Sequence, residues 1–207
     1  MKVHTKESQS TMTAEKALQF LKEGNGRFMN NLKANRNLLE QVNDTSEGQF
    51  PFAVILSCID SRTSAELIFD QGLGDIFSVR IAGNFINEDI LGSMEFACKV
   101  AGSKLVMVLG HSACGAIKGA CDNVQMGNLT ALISKIRPAV EAVKEPKDNR
   151  NSSNTEFVEK VASMNVKVAI EEIKKRSSIL AEMHANKEID IVGGMYNVQT
   201  GEVVFDH

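Results

Sequence analysis

With 207 residues, 43% of them hydrophobic and 24% charged, the chain can bury a substantial core in one domain and does not have the composition of a disordered protein. A net charge of −3 and a pI near 5.9 give no electrostatic reason to expect nucleic acid or an anionic membrane as partner, which points to a small-molecule substrate. No apolar run reaches the roughly 20 residues of a membrane span, and residues 1–11 are polar rather than a secretory leader, so the cytoplasm is the default expectation.

In chain order, residues 13–33 carry Ala17, Phe20, Leu21, Phe28 and Leu32 at helical spacing behind a Thr cap. Gly24-Asn25-Gly26 predicts a break there, with a second helix carrying Phe28. Residues 35–48 read as a connection with some helix, which makes 1–48 an N-terminal helical arm attached to a core over 49–207. Residues 52–57 and 104–109 are short continuous apolar runs, as expected of strands buried on both faces, and 75–81 is a third candidate. Residues 64–71 and 88–101 have helical period, the second with Ile90, Leu91, Met94, Ala97 and Cys98 facing inward. Strand and helix alternate, which predicts an α/β fold with a mainly parallel β-sheet flanked by helices.

Helices are expected over 116–126 and 129–144, the latter kinked at Pro138. The polar segment 145–154 reads as the most mobile loop. Residues 155–186 then read as one long helix with Phe157, Val161, Met164, Val168 and Ile179 on its buried side. Two runs, 189–198 and 202–205, flank Gln199-Thr200-Gly201 and predict a C-terminal strand hairpin. No repeat, low-complexity tract or second domain boundary is evident, so 1–207 is expected to be a single domain.

Chemistry concentrates where two of the apolar runs stop. Cys58, Asp60 and Arg62 alternate along an extended segment and so share one side of it, while His111 and Cys114 lie three apart at the start of a helix. Both groups fall beyond the C-terminal ends of parallel strands, where open α/β sheets place their sites. Two thiolates and one imidazole suit Zn²⁺, and three protein ligands leave the fourth position open, as in catalytic rather than structural zinc. Asp60, oriented by Arg62, is positioned to accept a hydrogen bond at such a metal; a plain structural ion pair is the blander alternative. Cys98 and Cys121 lie on helical patterns among apolar neighbours and read as core thiols. With four irregularly spaced cysteines, a disulfide framework is not expected. His4, His184 and His207 have no partner at ligand spacing.

The combination Cys58-x-Asp60-x-Arg62 with His111-x-x-Cys114 resembles the β-class carbonic anhydrases. The similarity extends through Gly24-Asn25-x-Arg27-Phe28, Val79-Arg80-x-Ala82-Gly83-Asn84, Gly110-His111-Ser112-x-Cys114-Gly115 and Tyr196-x-x-x-Thr200-Gly201. The resemblance implies one Zn²⁺ per subunit on Cys58, His111 and Cys114, and a zinc-bound hydroxide that attacks CO₂ to give bicarbonate. It further implies a homodimer or dimer-based homo-oligomer, with the N-terminal arm laid on the partner and the active sites at the interface. Asp60 and Arg62 take the catalytic dyad's positions, with Asp60 as a fourth ligand in those members that close the metal. Gln49, Phe77, Ala82, Gly83 and Phe96 fall at substrate-pocket positions. Gln49 favours the plant-type branch. The other branch has a regulatory bicarbonate site with a Trp where this chain has Ile55; Arg80 and Tyr196 remain, and no such regulation is expected. Hydrolysis of a CO₂ analogue such as CS₂ or COS, and a non-catalytic zinc-stabilised scaffold, are the competing functions.

Overall fold

In a computed structural model, which describes residues 3–206, the apolar runs become the central strands of one sheet, and His207 lies outside the described residues. Strand β1 (Ala53–Ser57) and strand β3 (Leu105–His111) are buried at every position, as a two-sided environment requires. They are joined by β2 (Ile76–Arg80), β4 (Asp190–Tyr196) and β5 (Val203–Asp206) in the order β2-β1-β3-β4-β5. The first four run parallel, and β5 returns antiparallel to β4 as the expected hairpin.

Side chains two apart point to the same face, so the strands feed two cores. Val54, Leu56, Val106 and Val108 pack with α5 (Glu88–Glu95), α9 (Thr155–Arg176) and α10 (Ser178–Ala185). Ala53, Ile55, Leu105, Met107 and Leu109 pack on the other face with α2 (Ala14–Met29) and α4 (Ala65–Ile68), through Ala17, Leu21, Ala65 and Ile68. A fully buried Leu or Ile contributes about 1.5–3 kcal/mol, so these two layers are what fix the strand register.

Several expected boundaries move, each for a tertiary reason. The predicted break at Gly24-Asn25-Gly26 does not occur, and α2 passes through it unbroken. A Cβ on Gly24 would lie 1.8 Å from the Phe69 carbonyl oxygen, so glycine here permits close approach rather than a turn. The Asn25 amide donates to Ile68 O and Gly201 O, and its oxygen accepts the Val203 N–H, which ties the helix to the C-terminal hairpin. The arm also contains α1 (Lys6–Ser10), closed by a capping box from Thr5, and α3 (Leu38–Asp44).

Residues 88–101 divide into α5 and a π-helical turn, Phe96–Val100. After α6 (Gly115–Cys121), Pro138 does not kink one helix; it sits in the first turn of α8 (Arg137–Ala142), separate from α7 (Gly127–Ser134). The long helix expected over 155–186 stops at Ser177, whose hydroxyl accepts the Leu180 N–H to cap α10 and bonds Glu95 at 2.6 Å. That break turns Ile179 outward, 39% exposed, against its expected burial. The 145–154 segment is cross-tied: Arg150 donates to Pro146 O and Val140 O and stacks 4.5 Å over the Phe157 ring, and Ser152 N–H reaches Asp122.

Candidate metal centre

Because β1 and β3 are adjacent and parallel with Ser57 opposite Leu109, the chain leaves both strands at the same edge. Cys58 follows directly on β1, and His111 is the last residue of β3, opposite Tyr196 of β4. Beyond His111 the Ser112 N–H bonds Tyr196 O at 2.9 Å, Ala113 turns through φ +54°, and Cys114 becomes the N-cap of α6. Cys58, His111 and Cys114 are all buried, and their ligand atoms lie within 4.8 Å of one another, with the two sulfurs 4.0 Å apart.

The 58–62 loop is held from outside. Arg80, at the end of β2, donates to the carbonyls of Cys58 (3.0 Å) and Asp60 (2.7 Å), and the Thr63 hydroxyl lies 2.9 Å from the same two oxygens. Gly83 presents its N–H to Cys58 Sγ at 3.4 Å from a backbone with φ +77°. A Cβ there would come within 2.4 Å of Ile136, so a side chain is excluded both by conformation and by space.

His111 Nδ1 lies 2.9 Å from the Ser112 carbonyl oxygen, which can only accept, so Nδ1 carries the proton. Nε2 is then a lone pair, buried and without a hydrogen-bond partner among the described residues. A buried acceptor left this way costs desolvation energy unless something binds it, and a metal ion is what the neighbouring groups offer. The Cys58 thiol is lowered, chiefly because it accepts a hydrogen bond from Cys114. Cys114 is driven upward by the same bond, by burial and by the adjoining thiolate. One proton is thus shared between two sulfurs, and a divalent cation in its place would stabilise both as thiolates. Two thiolates and an imidazole, with no fourth side chain in the cluster among the described residues, match the donor set of a catalytic zinc.

Asp60 turns from this cluster toward Arg62. Its Oδ1 accepts from Arg62 Nε at 2.9 Å and from the Arg62 backbone N–H at 3.0 Å, and Oδ2 accepts from Nη2 at 2.8 Å. This two-pronged grip, mainly through the guanidinium hydrogen bonds, holds the carboxyl well below the usual carboxylate range. Tyr196 borders the pair: burial raises its phenol, and the charges of Arg62 and Asp60 act on it in opposite senses.

The other sequence-predicted residues divide. Gly83 touches Cys58, and half-buried Ala82 precedes it. Phe77 and Phe96 meet edge to face, 6.2 Å between centroids, and line an open hollow of about 670 Å³ with Val79 and Gly92. Phe77 stands opposite Val54, well before the ligand end of β1, and Phe96 is 53% exposed. Exposed Gln49 precedes β1, so the whole strand, about 16 Å of extended chain, separates it from Cys58. Within one chain these three do not join the thiol–imidazole cluster. Cys98 and Cys121 are buried, and burial, outweighing Lys104 beside the first and Arg150 beside the second, pushes their thiols up to about 12 and about 11, as befits core residues. His4 packs against Phe20 and Phe52, and His184 lies 3.5 Å from Asp190.

Two residues of α9 escaped sequence reasoning. Glu159 Oε1 accepts the Ala113 N–H at 2.8 Å, and Asn165 Nδ2 donates to Gly83 O at 2.8 Å. A readable signal existed for Asn165, a polar residue in the stripe Val161, Ala162, Val166, Ala169; Glu159 offered none.

Comparison with known proteins gives a consistent result. A family model described as carbonic anhydrase matches residues 53–203. The chain is similar to carbonic anhydrase 2 of Mycobacterium tuberculosis, 36% identical over 193 residues and 92% of each chain. It is also similar to the carbonic anhydrase of Mycolicibacterium smegmatis, 34% identical over 188 residues and 90% of each chain. Among solved structures, the β-carbonic anhydrase CafA of Aspergillus fumigatus matches the fold with a TM-score of 0.71 at 24% identity, covering 81% of each chain.

Proposed function

The chain belongs to the carbonic anhydrase family and carries its β-class fold, and from that premise we propose that Cys58, His111 and Cys114 hold its zinc while Asp60 and Arg62 act on the reactants. The activity is the reversible hydration of CO₂ to bicarbonate and a proton. The observation that carries the ligand assignment is His111 Nε2, a buried lone pair without a hydrogen-bond partner among the described residues, on an imidazole whose ligand atom lies within 4.8 Å of two cysteine sulfurs. Zinc held by this donor set would supply a Lewis acid that acidifies water, less strongly with two thiolates than with three neutral imidazoles.

The remaining chemistry belongs to side chains. Asp60 is an anion throughout the working range and can only accept, so it takes the hydrogen bond of the reacting water and orients its lone pair toward CO₂. Arg62 occupies both carboxylate oxygens, which would keep Asp60 from serving as a further ligand. Ala82 and Gly83 form the near wall, and the Gly83 N–H steadies Cys58.

Gln49, Phe77 and Phe96 serve the pocket from across a subunit interface, which their distance from their own cluster supports. Exposed Leu67, Leu73, Phe96 and Val100, together with the unpaired outer edge of β2, favour a homodimer or a dimer-based oligomer. The plant-type assignment rests on Gln49. Ile55 is fully buried in the core that also holds Tyr196, which leaves no stacking wall for a regulatory bicarbonate. Among the described residues no helix is long and apolar enough to cross a membrane, and the cytoplasm is the proposed location.

Stopped-flow detection of proton release from CO₂ tests the function. Zinc-loaded protein is expected to exceed the buffer rate in proportion to its zinc content; zinc-replete protein at the buffer rate would sink the reading.

A further inference from the structure

The two loops that carry the metal ligands are both tied to a helix that supplies none. Glu159, in the second turn of α9, accepts the Ala113 N–H at 2.8 Å. Ala113 lies between His111 and Cys114 with φ +54°, a left-handed conformation that a residue with a Cβ adopts at a cost of order 1 kcal/mol or more. That turn brings His111 and Cys114 round to one side, and a charge-assisted bond to its central amide is what holds it. Further along α9, Asn165, 2% exposed, donates to Gly83 O, and the N–H of the same Gly83 faces Cys58 Sγ at 3.4 Å. One helix therefore fixes both carriers of the ligand set.

Packing alone does not account for these two side chains. Phe157, Val158, Val161, Ala162, Val166 and Ala169 bury α9, and an amide within that stripe is costly unless its hydrogen bond is used. We infer that Glu159 and Asn165 are positioning residues that preform the His111–Cys114 turn and the Cys58 sulfur for zinc and so set how tightly the ion is kept. The inference rests on the zinc reading above. Hydrogen bonds to the groups behind metal ligands typically govern affinity by 10–100-fold.

The test is transfer of zinc from fully loaded protein to a chromogenic chelator, with thermal melting of each loaded variant and the sulfur-to-metal charge-transfer band of the Co²⁺-substituted forms. Glu159→Ala, which removes the acceptor, should release zinc about 10–100-fold faster than the parent. Glu159→Gln, which keeps a carbonyl acceptor but loses the charge, should fall between the two. Asn165→Asp, nearly isosteric but without the donor, should release zinc faster and shift the Co²⁺ band. Parental release by Glu159→Ala, or Glu159→Gln as leaky as Glu159→Ala, overturns the Glu159 role. Asn165→Asp with a parental band and rate overturns the other. Should Glu159→Ala yield no folded protein, Glu159→Gln decides in its place: release faster than the parent supports the charged brace, and parental release overturns it. A parent that binds no zinc at one per chain would refute the zinc reading itself, whereas a zinc-binding parent matched by its variants refutes only the brace.

Discussion

Asp60 and Asp70 both bind arginine, yet the two clusters are built for opposite ends. Asp60 faces a single Arg62 that is 50% exposed, at the mouth of the metal centre, and its own side chain keeps 18% of its surface. Asp70 is 6% exposed and takes Arg27 at 2.5 Å, Arg36 at 2.6 Å and the Ala34 N–H at 3.0 Å, while the same two arginines reach its backbone carbonyl. The first pair restrains a carboxylate and leaves it partly open to solvent. The second consumes a carboxylate entirely, pinning the N-terminal arm to the loop before β2. The difference is one of burial and of one arginine against two, since each carboxylate accepts three hydrogen bonds: an exposed pair adds little to stability, whereas a buried anion stripped of its partners is expensive.

Exchanging the two roles by mutation breaks the comparison most sharply. Asp60→Ala should keep one zinc per chain and unfold within about 1 kcal/mol of the parent, while turnover falls roughly 10²–10⁴-fold; full activity with zinc bound would refute its assignment. Asp70→Ala should do the reverse. Urea titration is expected to show a loss of about 3–5 kcal/mol, with turnover per zinc in the folded fraction close to parental.

Smaller effects sharpen it. Arg62→Lys keeps the charge but loses the two-pronged geometry, and one charged hydrogen bond lost corresponds to about tenfold in turnover with stability unmoved. The pH dependence of stability should come from the buried cluster. Burial pushes Asp70 up, but Arg27, the Ala34 amide and Arg36 outweigh it and hold its carboxyl below the usual range. A depressed carboxylate stabilises the fold fully above its unfolded pKa of about 3.9, and that contribution is lost as pH falls through the lower folded value. The parent should therefore lose stability below about pH 4 more steeply than Asp70→Asn, which a series of melts in acid buffers would read.

Much of this was legible in the chain. The runs that became β1 and β3 are apolar at nearly every position because both faces of the sheet are covered, and each stops where the ligand residues begin. The metal cluster was equally plain, since its members sit at spacings that extended chain and helix bring to one side. What sequence hid was contact over distance. Gly24 reads as a breaker until the Phe69 carbonyl is seen where its Cβ would be. Ser177 ends α9 with neither Gly nor Pro, through its bond to Glu95, more than eighty positions away. Glu159 looks like any solvated glutamate until Ala113 arrives beside it. Gln49, Phe77 and Phe96 are expected in the pocket only from the family resemblance, and one chain alone does not bring them to the cluster.

The central claim is that three side chains hold the metal while Arg62 keeps Asp60 off it. The most direct measurement is the zinc-edge X-ray absorption spectrum of the loaded parent beside that of Asp60→Asn at neutral pH. Superimposable spectra with two sulfurs and one imidazole nitrogen are predicted. A spectrum that changes when Asp60 loses its charge would place that carboxylate on the zinc and contradict the account.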